Sequence, residues 1–424
     1  MMDQLTDEQQ QAPIFACHDC GTVHRMAAMR PGRIASCTAC DAKLYREQPD
    51  CVEWALGFVI AALFLFAVAN FLPFMTLKLE GREQASTVMT GIIGLYGDGM
   101  WPLAALVFAA AILTPLLKLL TLLYILLPMH LGRRAWRMAA VFRWLEAMHP
   151  WAMMEVFLLG VIVAYVKLTD LASVDIGIAL LAFIGVILLM AAADGVLDTR
   201  EIWNRVSSQG SDRLLDDDQV GPLVSCHGCH QLCRQDLHEL KTCERCGAGL
   251  HKRKPNSLAI SWAMTIAACI LYIPANLLPI MTVTQFGQGE PSTILGGVKL
   301  LLHAGMWPVA ALVFFASIAV PVIKLTCLIY LLLSVQRRST WRPRDRTILF
   351  RVVETVGRWS MVDIFMISIL VALVSLGAIA TVEPGAGAIA FAAVVIITMV
   401  AAMAFDPRLI WDHAEERNHA KHRA

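Results

Sequence analysis

Long apolar stretches separated by short polar segments dominate the pattern of this 424-residue chain. A helix needs about 20 residues to cross the hydrocarbon core of a bilayer, and eight stretches approach or exceed that length. They are residues 53–77, 100–127, 151–168, 175–197, 257–281, 305–333, 359–378 and 385–405. The pattern predicts a polytopic α-helical membrane protein with about eight transmembrane helices, of which 151–168 and 359–378 are the shortest.

The second half of the chain repeats the first. Asn-Phe-Leu-Pro-Phe-Met-Thr at 70–76 returns as Asn-Leu-Leu-Pro-Ile-Met-Thr at 276–282, an offset of 206 residues. Two further motifs recur at the same offset, Gly-Met-Trp-Pro (99–102 and 305–308) and the Pro-x2-Lys-Leu segments (115–119 and 321–325). Later matches shift to an offset of 208. A period this long indicates a duplicated domain of four spans, because solenoid repeats are much shorter.

Composition supports the membrane assignment. The chain is 57% hydrophobic and 16% charged, with a mean hydropathy of +0.61, whereas soluble domains are roughly 25% charged. A net charge of +1 gives no indication of a nucleic-acid partner. The first 50 residues lack the pattern of a cleavable signal peptide. The motifs GxSxG, Walker A, GxGxxG after a strand and HExxH are not found, so an enzyme is not expected.

Arginines predict the orientation. They follow the second span of each half (Arg133, Arg134, Arg137 and Arg143; then Arg337, Arg338, Arg342, Arg344, Arg346 and Arg351), whereas loops 78–98 and 283–304 hold few basic residues. By the positive-inside rule the arginine-rich segments are cytoplasmic. Both termini and residues 198–256 are then also cytoplasmic, and the two halves have parallel topology.

Two pairs of Cys-x2-Cys motifs, one pair per half, predict metal sites. The eight cysteines are Cys17, Cys20, Cys37 and Cys40, then Cys226, Cys229, Cys243 and Cys246. Four thiolates in two such turns can surround Zn²⁺ tetrahedrally, and a reducing cytoplasm disfavours disulfides. We expect two structural zinc ribbons without an open coordination position; iron in a rubredoxin-like site is the alternative.

Other cysteines and histidines have simpler expected roles. Cys233 is expected to be a free thiol, with a spare ligand as the alternative, and three cysteines in or beside apolar spans should pack as small hydrophobes (Cys51, Cys269 and Cys327). Four histidines near the ribbons could compete as ligands but are expected at the solvated surface (His18, His24, His227 and His230).

Two lysines lie inside predicted spans. A lysine at the centre of a membrane helix costs roughly 2.5–3.5 kcal/mol on insertion scales, so Lys118 and Lys324 should have partners. Glu155 is predicted to pair with Lys118, and Asp363 with Lys324. The alternative is that both side chains extend to the cytoplasmic interface.

Hydroxyl residues distinguish the halves. Ser317, Ser360 and Thr398 stand where the first half has Ala111, Ala152 and Met190. We predict that they form a functional network with Lys324 and Asp363, since a buried Lys–Asp pair titrates with conformation and can couple to protons. The alternative is that each hydroxyl only bonds a carbonyl of its own helix.

Together the zinc ribbons and the N-[FL]-L-P-[FI]-M-T, G-M-W-P and P-x2-K-L motifs resemble the paraquat-inducible protein A family over essentially the whole chain. The resemblance implies an inner-membrane protein of Gram-negative bacteria, with both termini cytoplasmic and with tetraspanin-like four-helix units. Small extracytoplasmic β elements are then expected in loops 78–98 and 283–304. It also implies a polar network at Ser317, Lys324, Ser360, Asp363 and Thr398.

The function that the resemblance implies is lipid transport. Members of the family work with MCE-domain proteins that build tunnels across the periplasm. The chain is similar to the type that serves a lipophilic envelope-spanning tunnel, with a paraquat-inducible paralogue as the alternative. We therefore expect phospholipid and an MCE protein as partners. The alternatives are a passive anchor for the tunnel and a proton-coupled exporter of small molecules that acts alone.

These features predict five segments. They are a first zinc ribbon (1–50), a first transmembrane domain (51–200), a second zinc ribbon (201–254), a second transmembrane domain (255–411) and a cytoplasmic tail (412–424).

Overall fold

A computed structural model describes most of the chain. It covers residues 14–25, 32–46, 50–79, 82–133, 136–169, 173–206, 223–234, 242–285, 288–303, 305–373 and 380–412. Arg134, the terminal segments 1–13 and 413–424, and the 207–222 part of the second predicted ribbon segment lie outside the described residues.

Helices form at all eight predicted spans. In the first half they are α1 (Cys51–Phe71), α3 and α4 joined into one helix (Trp101–Phe108 and Thr114–His130), α6 (Met154–Thr169) and α7 (Ile178–Val196). In the second half they are α9 (Ser257–Leu277), the joined α11 and α12 (Trp307–Phe314 and Val320–Gln336), α14 (Val362–Leu373) and α15 (Ala386–Ala404). Among the described residues seven helices are long and apolar enough to cross a membrane, α14 being counted together with the helix before it; α6 is shorter, with 16 residues.

Shorter helices connect these spans. They are α2 (Val88–Gly97), α5 (Met138–Met148), α8 (Thr199–Val206), α10 (Ile294–His303) and α13 (Pro343–Gly357). α13 runs into α14 through a 3₁₀ turn, Arg358–Met361. The joined spans each contain a π-helical turn, Ala109–Leu113 or Phe315–Ala319, next to Pro115 or Pro321. Proline has no N–H for the carbonyl four residues earlier, which favours this widening of the helix.

A small three-stranded antiparallel sheet follows the first span of each half. Its central strand is Met75–Leu79 or Met281–Gln285, and its hairpin partner is Arg82–Ser86 or Gln288–Ser292. The loop between the third and fourth spans supplies the third strand, Ser173–Ile176 or Ala380–Pro384. The expected β elements are therefore present, although they begin earlier than loops 78–98 and 283–304 and include a strand from a distant loop.

The third spans of the two halves pack against each other. Phe157 of α6 and Phe365 of α14 make an edge-to-face ring contact at 5.4 Å. A Cβ on Gly160 would lie 2.9 Å from the Cβ of Phe365, so the glycine lets the two backbones approach closely. All twelve residues of α14 are buried, which makes this helix the centre of the contact between the halves.

Each ribbon packs on the transmembrane unit of the other half. The first ribbon (14–46, strands Ile14–Ala16, Val23–Arg25, Ile34–Ser36 and Lys43–Arg46) contacts second-half residues. Arg351 donates to Asp19 at 2.5 Å and to the Cys40 sulfur at 3.2 Å, and Arg408 donates to the His18 carbonyl at 3.0 Å. The first ribbon therefore lies on the second transmembrane unit.

The second ribbon (223–250, strands Leu223–Ser225 and Leu232–Arg234) contacts first-half residues. Arg143 donates to the Cys246 carbonyl at 3.0 Å, and Arg245 donates to the Trp203 carbonyl at 3.1 Å. Arg143 and Arg351 are equivalent in the repeat, and each contacts the fourth cysteine of the opposite ribbon. The ribbons are therefore exchanged between the halves in both directions, since each lies on the transmembrane unit of the other half.

Candidate metal centres and buried polar site

Both cysteine clusters have the geometry of a metal site. In each, the four sulfur atoms lie within 4.8 Å of one another. Measured separations are 3.6 Å for Cys17–Cys40 and 3.5 Å for Cys20–Cys37. In the second cluster they are 3.4 Å for Cys226–Cys246 and 3.6 Å for Cys229–Cys243. Tetrahedral Zn–S bonds of about 2.3 Å would separate the sulfurs by about 3.8 Å, so both clusters fit such an ion.

Tight turns bring these sulfurs together. Cys17 and Cys37 each begin a turn closed by a backbone hydrogen bond, from Gly21 N–H at 2.9 Å and from Asp41 N–H at 3.0 Å. In the second ribbon the Gly228 N–H also points at the Cys226 sulfur, 3.4 Å away. Hydrogen bonds from Cys20 lower the pKa of Cys17 to about 4, and those from Cys229 lower the pKa of Cys226 to about 6. The pKa values of Cys20, Cys40, Cys229 and Cys246 are raised by coupling to neighbouring thiols and by burial, so only some thiols of each cluster are favoured as thiolates without an ion.

The predicted Lys118–Glu155 pair is wrong. The Lys118 ammonium donates to Asp194 of α7 at 2.6 Å, while Glu155 is exposed. Lys118 is buried, with 5% of its surface exposed, so the ion pair provides the partner that a lysine at this depth requires. Comparison of the two halves could have identified Asp194 as a feature of the first half, because the second half has Ala402 at the same position.

Lys324 has different surroundings. It is 3% exposed, and its terminal atoms lie against Gly357, where α13 ends: a Cβ on that glycine would be 2.5 Å from Nζ. The carboxylate whose charge acts on the ammonium is that of Glu354, also on α13. The sequence pattern by itself distinguishes neither Gly357 nor Glu354 from its neighbours.

Irregular turns hold the two serines. Ser317 lies in the π-helical turn between α11 and α12, and Ser360 in the 3₁₀ turn before α14. These two turns pack against each other, and α15, which carries Thr398, packs against the second. Both serines are buried, and within the described part of the chain neither hydroxyl has a hydrogen-bond partner. Thr398 donates to the Val395 carbonyl of its own helix at 2.9 Å.

Asp363 lines a small cavity of about 30 Å³ on the side of α14 facing the second sheet. Apolar side chains form most of its wall, including Met281, Val309, Val313 and Met366, with Val163 contributed by the first half. Asp363 itself is 3% exposed. The structure thus places all five predicted residues in adjoining buried elements, with the side chain of Lys324 against the end of α13 and Asp363 on the cavity wall.

Comparison with known proteins identifies the family. A family model described as paraquat-inducible protein A matches residues 52–207 and 258–415. The chain is 32% identical to intermembrane transport protein PqiA of Escherichia coli strain K12, over 98% of this chain and 99% of that relative. It is 31% identical to lipophilic envelope-spanning tunnel protein A of the same strain, over 95% and 92%, and 29% identical to a probable intermembrane transport protein of Haemophilus influenzae, over 90% and 96%. No solved structure matches the chain. Since the family model matches each half and the relatives match the whole length, this multi-pass membrane protein belongs to the paraquat-inducible protein A family.

Proposed function

We propose that the chain is the inner-membrane component of a lipid transport system, moving lipids between that membrane and a periplasm-spanning tunnel built by an MCE-domain protein. Two relatives support the proposal by name, one as an intermembrane transport protein and one as part of an envelope-spanning tunnel system. The proposed partners are phospholipid and the MCE protein, and the activity is transport without catalysis.

One observation carries the proposal: the second half has a buried polar site at positions where the first half is apolar. The first copy has apolar residues at the positions of Ser317, Ser360 and Thr398. They are Ala111 and Met190, which are buried, and Ala152, which is half-buried. The second half also lacks the aspartate that fixes Lys118. Buried polar groups without structural necessity are costly in a membrane, so they indicate function.

Charge on Asp363 would control access to the apolar cavity. An ionised carboxylate in the cavity wall disfavours contact with an acyl chain, because apolar surroundings cannot solvate its charge. Proton uptake by Asp363 would remove that charge and favour apolar contacts. Because the cavity holds only about 30 Å³, a lipid chain could enter only as the elements that line it move apart. Movement of the Lys324 side chain against Gly357 would then couple protonation to the packing of α14. Because α14 contacts the first half, the change would reach both units.

The two ribbons would hold Zn²⁺ as structural sites that fix the cytoplasmic ends of the helices. With four cysteines each and no open position, they would supply fold stability and no chemistry. The ribbons and the arginine-rich segments lie together, at the end opposite the sheets. We accordingly propose that both termini are cytoplasmic and both sheets periplasmic, with the five segment boundaries given above.

Transport by paired variants tests the proposal. The full chain is reconstituted in vesicles with its MCE partner, and transfer of a fluorescent phospholipid is followed across a pH gradient. Lys324→Ala and Asp363→Asn should abolish transfer while inserting normally, whereas Glu155→Gln, the first-half counterpart of Asp363→Asn, should retain it. Wild-type transfer by both second-half variants would refute the network.

Purification of the chain from membranes distinguishes lipid transport from the two alternatives, a passive anchor and an exporter that acts alone. Lipid transport predicts bound phospholipid and a tunnel subunit in the same preparation. An anchor would retain the tunnel subunit but tolerate Lys324→Ala. An exporter would work in cells that lack any MCE protein.

A further inference from the structure

Each ribbon places a fifth metal-binding side chain beside its third cysteine. In the first ribbon, the Nε2 atom of His24 lies 3.2 Å from the Cys37 sulfur. In the second ribbon, the Cys233 sulfur lies 3.9 Å from the Cys243 sulfur. Neither side chain is on the solvated surface, since both are half-buried.

His24 and Cys233 occupy the same structural position. Each is the fourth residue after the second cysteine of its ribbon. Each also sits on the second strand of the ribbon's hairpin, His24 opposite Phe15 and Cys233 opposite Val224. Those partners are both two residues before the first cysteine. The matching register shows that both ribbons have a fifth donor at the same position, a histidine nitrogen in the first and a cysteine sulfur in the second.

Imidazole and thiolate are both ligands that zinc prefers, so this position has a zinc-binding side chain in both ribbons although the residue differs. The Cys233–Cys243 separation is about the edge of a zinc–sulfur tetrahedron, so the two sulfurs can approach one ion together. A small rotation of either side chain would exchange one for the other.

We propose that His24 and Cys233 are reserve ligands, which can replace Cys37 and Cys243 on a divalent metal ion of the Zn²⁺ class. The inference rests on the assignment of both cysteine clusters as metal sites. Two donors would then be available for the third ligand position of each ion, and one for the fourth. The extra donor could bind the ion before the original cysteine leaves, which provides an associative route for metal exchange.

Metal content of the purified full-length chain tests this. Wild type should hold two zinc ions, as should Cys243→Ser, because Cys233 takes over. The matched control Cys246→Ser should lose one ion, and so should the double variant Cys233→Ala/Cys243→Ser. The intact first ribbon serves as the internal reference in each sample. Equal loss from Cys243→Ser and Cys246→Ser would overturn the inference, whereas wild type without metal would overturn the metal assignment itself.

Cobalt substitution identifies the replacing atom. In Cys37→Ser, the ligand-field bands of Co²⁺ should shift to shorter wavelength as nitrogen replaces sulfur, and adding His24→Ala should remove that ion. In Cys243→Ser the four-sulfur spectrum should persist. Unshifted bands in Cys37→Ser would contradict a role for His24.

A single substitution that keeps all eight cysteines avoids any failure to fold. Cys233→Ala should release zinc from the second ribbon to a chelator several-fold more slowly than wild type, because the associative route is lost. An unchanged rate of release would contradict the reserve role of Cys233.

Discussion

The ammonium of Lys118 lies 2.6 Å from the carboxylate of Asp194, and the second half has Ala402 at the position of this aspartate. Both copies therefore contain a buried lysine, but only the first copy contains this aspartate partner. We interpret the first unit as the more rigid of the two, and the second as the one in which the lysine can change its surroundings.

Removing the fixed partner should destabilise the first unit. Asp194→Ala leaves Lys118 buried without its carboxylate, and we expect a loss of about 2–3 kcal/mol in the free energy of unfolding. Thermal unfolding in detergent measures it. Unchanged stability would show that water or another group satisfies Lys118.

The reverse substitution should immobilise the second unit. Ala402→Asp places a carboxylate where Lys324 can use it, as Asp194 does for Lys118. We expect normal or raised thermal stability together with loss of lipid transfer. Retained transfer at wild-type rate would mean that freedom of Lys324 is not needed.

Gly357 should be required for the position of Lys324. A Cβ there would lie 2.5 Å from Nζ, so Gly357→Ala must displace the ammonium. Because the lysine end is flexible, we expect a moderate cost of about 1–2 kcal/mol and a strong loss of transfer. Gly57→Ala, in a helix position with nothing within 4 Å, is the control and should be neutral or stabilising. Similar transfer by the two variants would contradict the role of Gly357.

The contact between the halves should depend on Gly160. Its Cβ would lie 2.9 Å from that of Phe365, so Gly160→Val forces α6 and α14 apart. Overpacking of this kind costs about 1–3 kcal/mol. A lower melting temperature is the expected result. An unchanged one would indicate that the two helices pack less closely than described here.

Exchange of the ribbons gives reciprocal predictions. Arg351→Ala removes contacts to Asp19 and Cys40, so hydrogen exchange should rise in residues 14–46 and stay unchanged in 223–250. Arg143→Ala should do the opposite. If each arginine instead affected the ribbon of its own half, the exchanged arrangement would be wrong.

Much of this architecture is local in origin and could be predicted. Apolar stretches determine membrane helices because each must satisfy its own backbone in lipid. Two Cys-x2-Cys turns determine a metal site because the ligands lie within a few residues of one another. The halves could be aligned directly, and that alignment identified Ser317, Ser360 and Thr398 as second-half features.

Other features depend on how distant segments meet. Lys118 could have paired with any carboxylate at its depth, and only packing of α7 against the first span selected Asp194 over Glu155. The third strand of each sheet comes from a loop about 100 residues from its partners, and nothing in its few residues distinguishes it from a turn.

By itself, then, the sequence determined the spans, the duplication, the cysteine clusters and the residues that differ between the copies. Tertiary structure alone decided which ribbon lies on which transmembrane unit, which carboxylate holds Lys118 and what surrounds Lys324. The physical reason is the duplication. Arg143 and Arg351 could make nearly the same contacts with either ribbon, so the local sequence does not determine which ribbon each arginine contacts. The packing of the two units side by side, with α14 against α6 and α2, accompanies the arrangement in which each arginine contacts the ribbon of the other half.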